Sequence, residues 1–119
     1  MYLLDTDHLI ILQREQDPEF SSLRGAMNRH APHDFFLALV SFHEQILGAH
    51  TYLTRAKSRD QVVRGYQMLE LSFTDFHYFR VLPYDEPAAA LYDSLRNSVR
   101  IGTLDFRIAA TALSNKLIV

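Results

Sequence analysis

The sequence predicts an α/β domain in three layers, with a central, mainly parallel sheet flanked by helices and one helical hairpin. Three observations predict it. Short apolar runs alternate with amphipathic segments along the 119 residues. One run, Phe35-Phe36-Leu37-Ala38-Leu39-Val40, is apolar throughout, as expected of a parallel strand covered on both faces. Two neighbouring segments carry matching apolar stripes and are joined by a short polar link, the pattern of two antiparallel helices.

Taken in order, the apolar run Tyr2-Leu3-Leu4 ends on Asp5 and predicts a strand at 2–5 that delivers a carboxylate to the C-terminal edge of the sheet, where α/β folds bind ligands. A helix at 7–15 and a second helical piece at 18–30 follow. The polar stretch His30-Ala31-Pro32-His33-Asp34 then breaks the pattern before a strand at 35–40. Ser41-Phe42-His43-Glu44 has the form of a capping box and predicts a helix start there. Phe42, Ile46, Ala49, Leu53 and Ala56 form its stripe. Ser58 and Gln61 cap the next helix, whose stripe is Val62, Tyr66, Leu69, Phe73 and Phe76, giving a hairpin over 41–79. Its aromatic load predicts burial in a core or in a homodimer contact. A short strand at 80–82 precedes a helix opened by Asp85 and Pro87, with stripe Ala88, Tyr92, Leu95 and Val99. The Gly102-Thr103 turn opens a helix over 103–115, and 116–119 reads as a last strand.

Composition narrows the function classes. The length suits one domain with a real core, and an apolar fraction of 48% argues against disorder. The absence of cysteine excludes a disulfide scaffold, a zinc ribbon and a thiol nucleophile, and it fits a cytoplasmic protein. No apolar stretch approaches the ~20 residues of a membrane span, and no basic segment precedes an apolar one as in a signal peptide. A net charge of −2 disfavours a protein that coats duplex nucleic acid. The chain stops inside an apolar segment, which reads as a single domain over 1–119 that lacks its C-terminal end.

Three acids stand at corresponding places. Asp5 closes the first strand, Glu44 follows the second, and Asp105 opens the last helix. Each has a structural explanation. Asp5 or Asp7 serves as an N-cap, Glu44 completes a capping box, and Asp105 suits the positive end of a helix. Gathered at one sheet edge, three carboxylates repel one another unless a cation neutralises them, which points to a hard-metal site. His43-Glu44 begins like a zincin helix, but Leu47 stands in place of the second His. Arg55, Lys57, Arg59 and Arg64 cluster at the hairpin tip, as a solvated face or as an RNA-guiding patch.

Three stretches together carry a resemblance. They are Tyr2-Leu3-Leu4-Asp5-Thr6-Asp7, Val40-Ser41-Phe42-His43-Glu44-Gln45-Ile46-Leu47-Gly48 and Ile101-Gly102-Thr103-Leu104-Asp105-Phe106-Arg107-Ile108-Ala109-Ala110-Thr111-Ala112. They resemble PIN domains, and more narrowly the VapC-type toxin ribonucleases of bacterial toxin–antitoxin pairs. The resemblance implies an acidic pocket holding Mg²⁺ or Mn²⁺, hydrolysis of single-stranded RNA by an activated water, and a cognate antitoxin protein as partner. Asp5, Glu44 and Asp105 match the family's catalytic and metal-binding acids, and Thr6 its small supporting residue. Arg107, near Asp105, is placed to meet a phosphate of the RNA or to pair with an acid. The family carries a fourth acid beyond the last strand, and this chain ends before it. Two other functions remain. One is a catalytically impaired interaction protein that binds an antitoxin or itself. The other is a haloacid-dehalogenase-like phosphatase, since Asp5-Thr6-Asp7 imitates its nucleophile motif, although Leu9 departs from it and no later Asp-Asp follows.

Overall fold

A computed structural model describes residues 1–96 and 102–119. The chain runs β1 (Tyr2–Leu4), α1 (Thr6–Arg14), α2 (Glu19–Met27), a 3-10 turn (Pro32–Asp34), β2 (Phe35–Ala38), α3 (Leu39–Arg55), α4 (Arg59–Tyr78), β3 (Arg80–Leu82), α5 (Glu86–Leu95) and α6 (Thr103–Ser114). Val99, the end of an expected stripe, and Ile101, the start of the last motif, lie outside the described residues.

The expected three-layer PIN-like domain around a central sheet is corrected to a mainly helical domain with a small sheet. The three strands have 3, 4 and 3 residues, whereas α3 and α4 alone have 17 and 20. The cause is early helix initiation. Asp5 caps α1 directly after Leu4, and Leu39 and Val40 leave the apolar run to form the first turn of α3. The strand expected at 116–119 shrinks to one parallel bridge between Tyr2 and Ile118, in which the Leu3 amide donates to the Ile118 carbonyl at 2.7 Å.

The strands pair in parallel in the order β1-β2-β3. Leu3 lies beside Phe36 and Leu4 beside Leu37, so alternate residues face opposite sides. On one side Leu3, Phe36, Ala38 and Val40 pack with Ile108 and Ala112 of α6. On the other, Leu4, Phe35 and Leu37 pack with Leu9 of α1, and Phe76 and Phe79 close over them. Among the described residues no helix is long and apolar enough to cross a membrane.

Most helix starts follow local chemistry. The Ser58 hydroxyl accepts the Gln61 amide at 3.1 Å, and Asp85 accepts the Ala88 amide at 3.3 Å. The capping box at Ser41 does not form. Because α3 begins at Leu39, Ser41 lies within the helix, fully buried, and its hydroxyl accepts a hydrogen bond from the Thr6 hydroxyl at 3.2 Å. Glu44 therefore has no capping task.

The hairpin of α3 and α4 forms, but the expected stripe on α4 is divided. Leu69 and Phe76 turn inward, and the Phe76 ring meets Phe42 edge-on with centroids 5.2 Å apart. Val62, Tyr66 and Phe73 face outward. The residues actually buried on α4 are Gly65 and Ser72, two turns apart, because only small side chains let the two helices approach. A Cβ at Gly65 would stand 2.6 Å from Leu53 Cγ. Gly65→Ala is expected to destabilise the fold by about 1 kcal/mol, overpacking outweighing the gain in helix propensity. Urea unfolding measures this, and a variant more stable than the parent would refute the close contact.

Candidate functional site

The parallel sheet sends β1 and β2 the same way, so α1 and α3 begin at a common edge. The Thr6–Ser41 hydrogen bond ties those two starts together. A cleft of about 760 Å³ opens there between α1, α3 and α4. Asp5, Thr6 and Asp7 line it from the start of α1, Glu44 from α3, and Asp105 from the first turn of α6. Asp5, Glu44 and Asp105 thus share one cleft although they are distant in sequence. Arg14 and Arg64 also line it. Of the hairpin-tip cations named from sequence, Arg64 alone is a lining residue. Arg107 is not brought into the cleft. Its guanidinium lies over the rings of Tyr84 and Tyr92, at 6.0 and 5.8 Å from their centroids.

The three acids differ in their surroundings. Asp5 is the N-cap of α1, as one structural explanation held. Its Oδ1 accepts the His8 amide at 2.9 Å and meets His8 Nδ1 at 2.6 Å. Asp105 is exposed at the positive end of α6. Glu44 is half-buried, and its Oε2 is enclosed without a hydrogen-bond partner. An unpartnered buried carboxylate oxygen is costly, so it marks either a missing ligand or a strained place. Among the described residues no three His, Asp or Glu side chains stand close enough together to hold one ion.

The wall of the cleft carries a polar network that the sequence reading missed. The side-chain amides of Gln13 (α1) and Gln45 (α3) bond to each other reciprocally, at 3.0 Å in both directions. Gln13 Nε2 also donates to Asp75 Oδ2 at 2.8 Å, and the Ser72 hydroxyl donates to Gln45 Oε1 at 2.7 Å. Burial pushes the Asp75 carboxyl above its ordinary value, and the hydrogen bond from Gln13 works in the opposite direction. The one sequence signal was the run of small or polar residues, Gly65, Ser72 and Asp75, on what became the inner face of α4.

No family model matches the chain, and no curated protein matches it. Solved structures do. The crystal structure of FitAcB from Neisseria gonorrhoeae is similar with a TM-score of 0.70 and 27% identity, over 98% of this chain and 84% of that one. A toxin–antitoxin complex from Klebsiella pneumoniae has a TM-score of 0.70 and 20% identity, over 98% and 82%. DNA-bound VapBC from Salmonella typhimurium has a TM-score of 0.72 and 24% identity, over 99% and 83%. The chain therefore shares its fold with chains of these complexes. Its assignment as a PIN-family, VapC-type toxin ribonuclease is corrected. No family model matches, and the likeness to these solved structures is one of fold, which does not make the chain the ribonuclease.

Asp75 gives a pH prediction. Its folded-state pKa lies above the unfolded one, so ionised Asp75 opposes folding above the folded value. That penalty is relieved as pH falls through the raised value towards 3.8, the ordinary one. Asp75→Asn keeps an acceptor for Gln13 and removes the charge. It is expected to be more stable than the parent at neutral pH, with the difference shrinking as acid is added. Urea unfolding at several pH values checks this, and a difference independent of pH would count against it.

Proposed function

We propose that the chain is the protein-binding member of a toxin–antitoxin-type pair, holding a cognate antitoxin protein or a second copy of itself through the outward face of the α3–α4 hairpin. The observation that carries this is the unpartnered stripe on α4, where Val62, Tyr66 and Phe73 are 41%, 60% and 72% exposed. At about 100° per residue these positions lie within some 40° of one another, so they form one continuous apolar strip. Large exposed aromatics in a row mark interaction surfaces, and Tyr and Phe are favoured interface residues. Likeness to two-protein complexes supports the reading. One such complex is DNA-bound. A chain of net charge −2 offers little to a duplex backbone, so in an assembly of that kind the partner makes the DNA contact. The site of action is the cytoplasm, in keeping with a chain free of cysteine.

Tyr66→Ser with Phe73→Ser is expected to weaken association with the co-expressed antitoxin by roughly 30-fold or more, since the loss of even one interface hot spot costs about 2 kcal/mol. The fold should be unaffected, because both rings are already in solvent. Titration calorimetry reads the affinity, and sedimentation velocity reads self-association. A variant that binds the antitoxin and itself like the parent sinks the assignment of this face.

A second reading, metal-dependent cleavage of single-stranded RNA, is favoured by the unpartnered Glu44 Oε2 in the cleft shared with Asp5 and Asp105. A hydrated Mg²⁺ or Mn²⁺ often takes only one or two carboxylates and keeps several waters, so this reading does not require the three-acid group that the described residues lack. Glu44 and Asp5 would hold it, with Asp105 nearby at the cleft wall. Bound there, the ion would supply an activated water and neutralise charge on the scissile phosphate. Thr6 contributes by fixing the start of α1 against α3. Asp5→Asn preserves the cap on α1, because Asn caps about as well as Asp. It is therefore expected to remain folded and to lose Mn²⁺-dependent RNA cleavage. A cleavage assay with and without chelator decides, and undiminished chelator-sensitive cleavage by the variant would remove Asp5 from the role.

A further inference from the structure

The exposed strip on α4 carries a charge pattern that selects its occupant. We propose that a second copy of this chain packs on it, α4 against α4 in opposite directions about a two-fold axis, with Arg59 of each copy beside Glu70 of the other. The inference rests on the reading of that strip as a binding surface and commits it to one partner.

Three features carry it. The first is placement. With Val62 as origin and about 100° per residue, Phe73, Tyr66, Arg59, Glu70 and Val63 follow at about 20°, 40°, 60°, 80° and 100° around the helix. Every one of them is exposed, and Val63, at 51%, widens the apolar strip. Gly65 and Ser72, which meet Leu53 and Gln45 of α3, lie more than about 100° from the middle of this arc, so packing within the chain leaves the face open. The second is polarity. Arg59 is the first residue of α4, and Glu70 stands about 16 Å further along the axis. A cation thus marks one end of the strip and an anion lies towards the other. Among the described residues neither has an ion-pair partner within the chain. The third is symmetry. A face charged in this way complements itself when the second copy runs in the opposite direction, and one patch then serves both copies, as a two-fold contact requires. Setting Arg59 opposite the partner's Glu70 places Val63 opposite the partner's Tyr66 and carries Phe73 over the partner's Ala56, beside the link between α3 and α4. In a parallel arrangement Arg59 would meet the partner's Arg59 and Glu70 the partner's Glu70, and like charges would oppose the contact.

Charge reversal tests the register. Arg59→Glu sets two acids against each other at both symmetric contacts, and Glu70→Arg sets two cations there. Neither harms the helix: an acid in the first turn of α4 suits its dipole, and Glu70 is exposed. Circular dichroism verifies the fold, and if one variant misfolds the other reports alone. Sedimentation equilibrium of the full chain reads association. One helix against another makes a contact at the weak end of protein interfaces, so the series extends to high-micromolar chain. The parent is expected to dimerise, and each single reversal to weaken the dimer by about tenfold, because each removes two pairs and adds two repulsions. The chain carrying both reversals, and an equimolar mixture of the two single variants, are expected to recover the parent's affinity. Molar salt is expected to narrow the gap between the parent and the single variants. Single variants that dimerise as well as the parent overturn the antiparallel register. A parent that stays monomeric throughout overturns the second copy as occupant. In that case, loss of antitoxin binding by the chain with Tyr66→Ser and Phe73→Ser leaves the strip as a binding surface for another protein, whereas unchanged binding removes that reading too.

Discussion

The parallel pairing of β1 with β2 is the constraint on which the rest of the molecule depends. Leu4 stands beside Leu37 in the register, and one residue further on both chains are near their turn into helix. Had the strands been antiparallel, α1 and α3 would begin at opposite ends of the sheet. Because they are parallel, Asp5 and the first turns of α3 arrive at one edge, and the Thr6–Ser41 hydrogen bond can form. Such short strands contribute few ladder bonds. They hold because Leu3, Leu4 and Phe35 to Ala38 are all buried, so both faces of the sheet are covered by side chains from the helices.

The helical hairpin solves a different problem. Two long helices can lie close only where their facing side chains are small, and Gly65 and Ser72 supply that on α4. The large apolar residues of α4 then have two destinations. Phe76 reaches back to Phe42 and joins the core below the sheet, while Tyr66 and Phe73 turn to solvent. A buried hydroxyl at Ser72 needs an acceptor, and Gln45 provides it. Close helix packing and the place of Ser72 in the polar network of the cleft wall thus both follow from a small residue on α4.

Much of the local structure was legible in the chain. Asp5, Ser58 and Asp85 announced helix starts because capping depends on side-chain chemistry only a few residues long. The apolar run from Phe35 announced a buried strand, and Asp5, Glu44 and Asp105, far apart in the chain, line one cleft. What failed depended on contacts between distant elements. Ser41 looked like a cap, yet burial against Thr6 placed it inside a helix that starts two residues earlier. Periodicity assigned Val62, Tyr66 and Phe73 to a core or to a homodimer contact, and the core half of that reading does not hold for them, because apolar spacing does not say which side of a helix its neighbour occupies. Gln13 and Gln45, 32 residues apart, meet only through tertiary packing. The two aromatic rings over which the Arg107 guanidinium lies, Tyr84 and Tyr92, could not be foreseen from its place beside Asp105. The layered sheet domain was overestimated for the same reason: an apolar run does not record where strand yields to helix.

One helix serves the cleft and the exposed strip without mixing them. Arg64, Met68, Leu71 and Ser72 face the cleft, whereas Val62, Tyr66 and Phe73 face away. On a helical wheel, Arg64, Met68 and Leu71 lie about 140–240° around from the strip, on the opposite side of the cylinder. A partner resting on the strip therefore need not enter the cleft, and a ligand in the cleft need not displace the partner. Ser72 and Asp75 of α4 are hydrogen-bonded to Gln45 and Gln13, and at Gly65 there is no room for a Cβ against Leu53, so α4 is held to its neighbours by polar bonds and by close packing together.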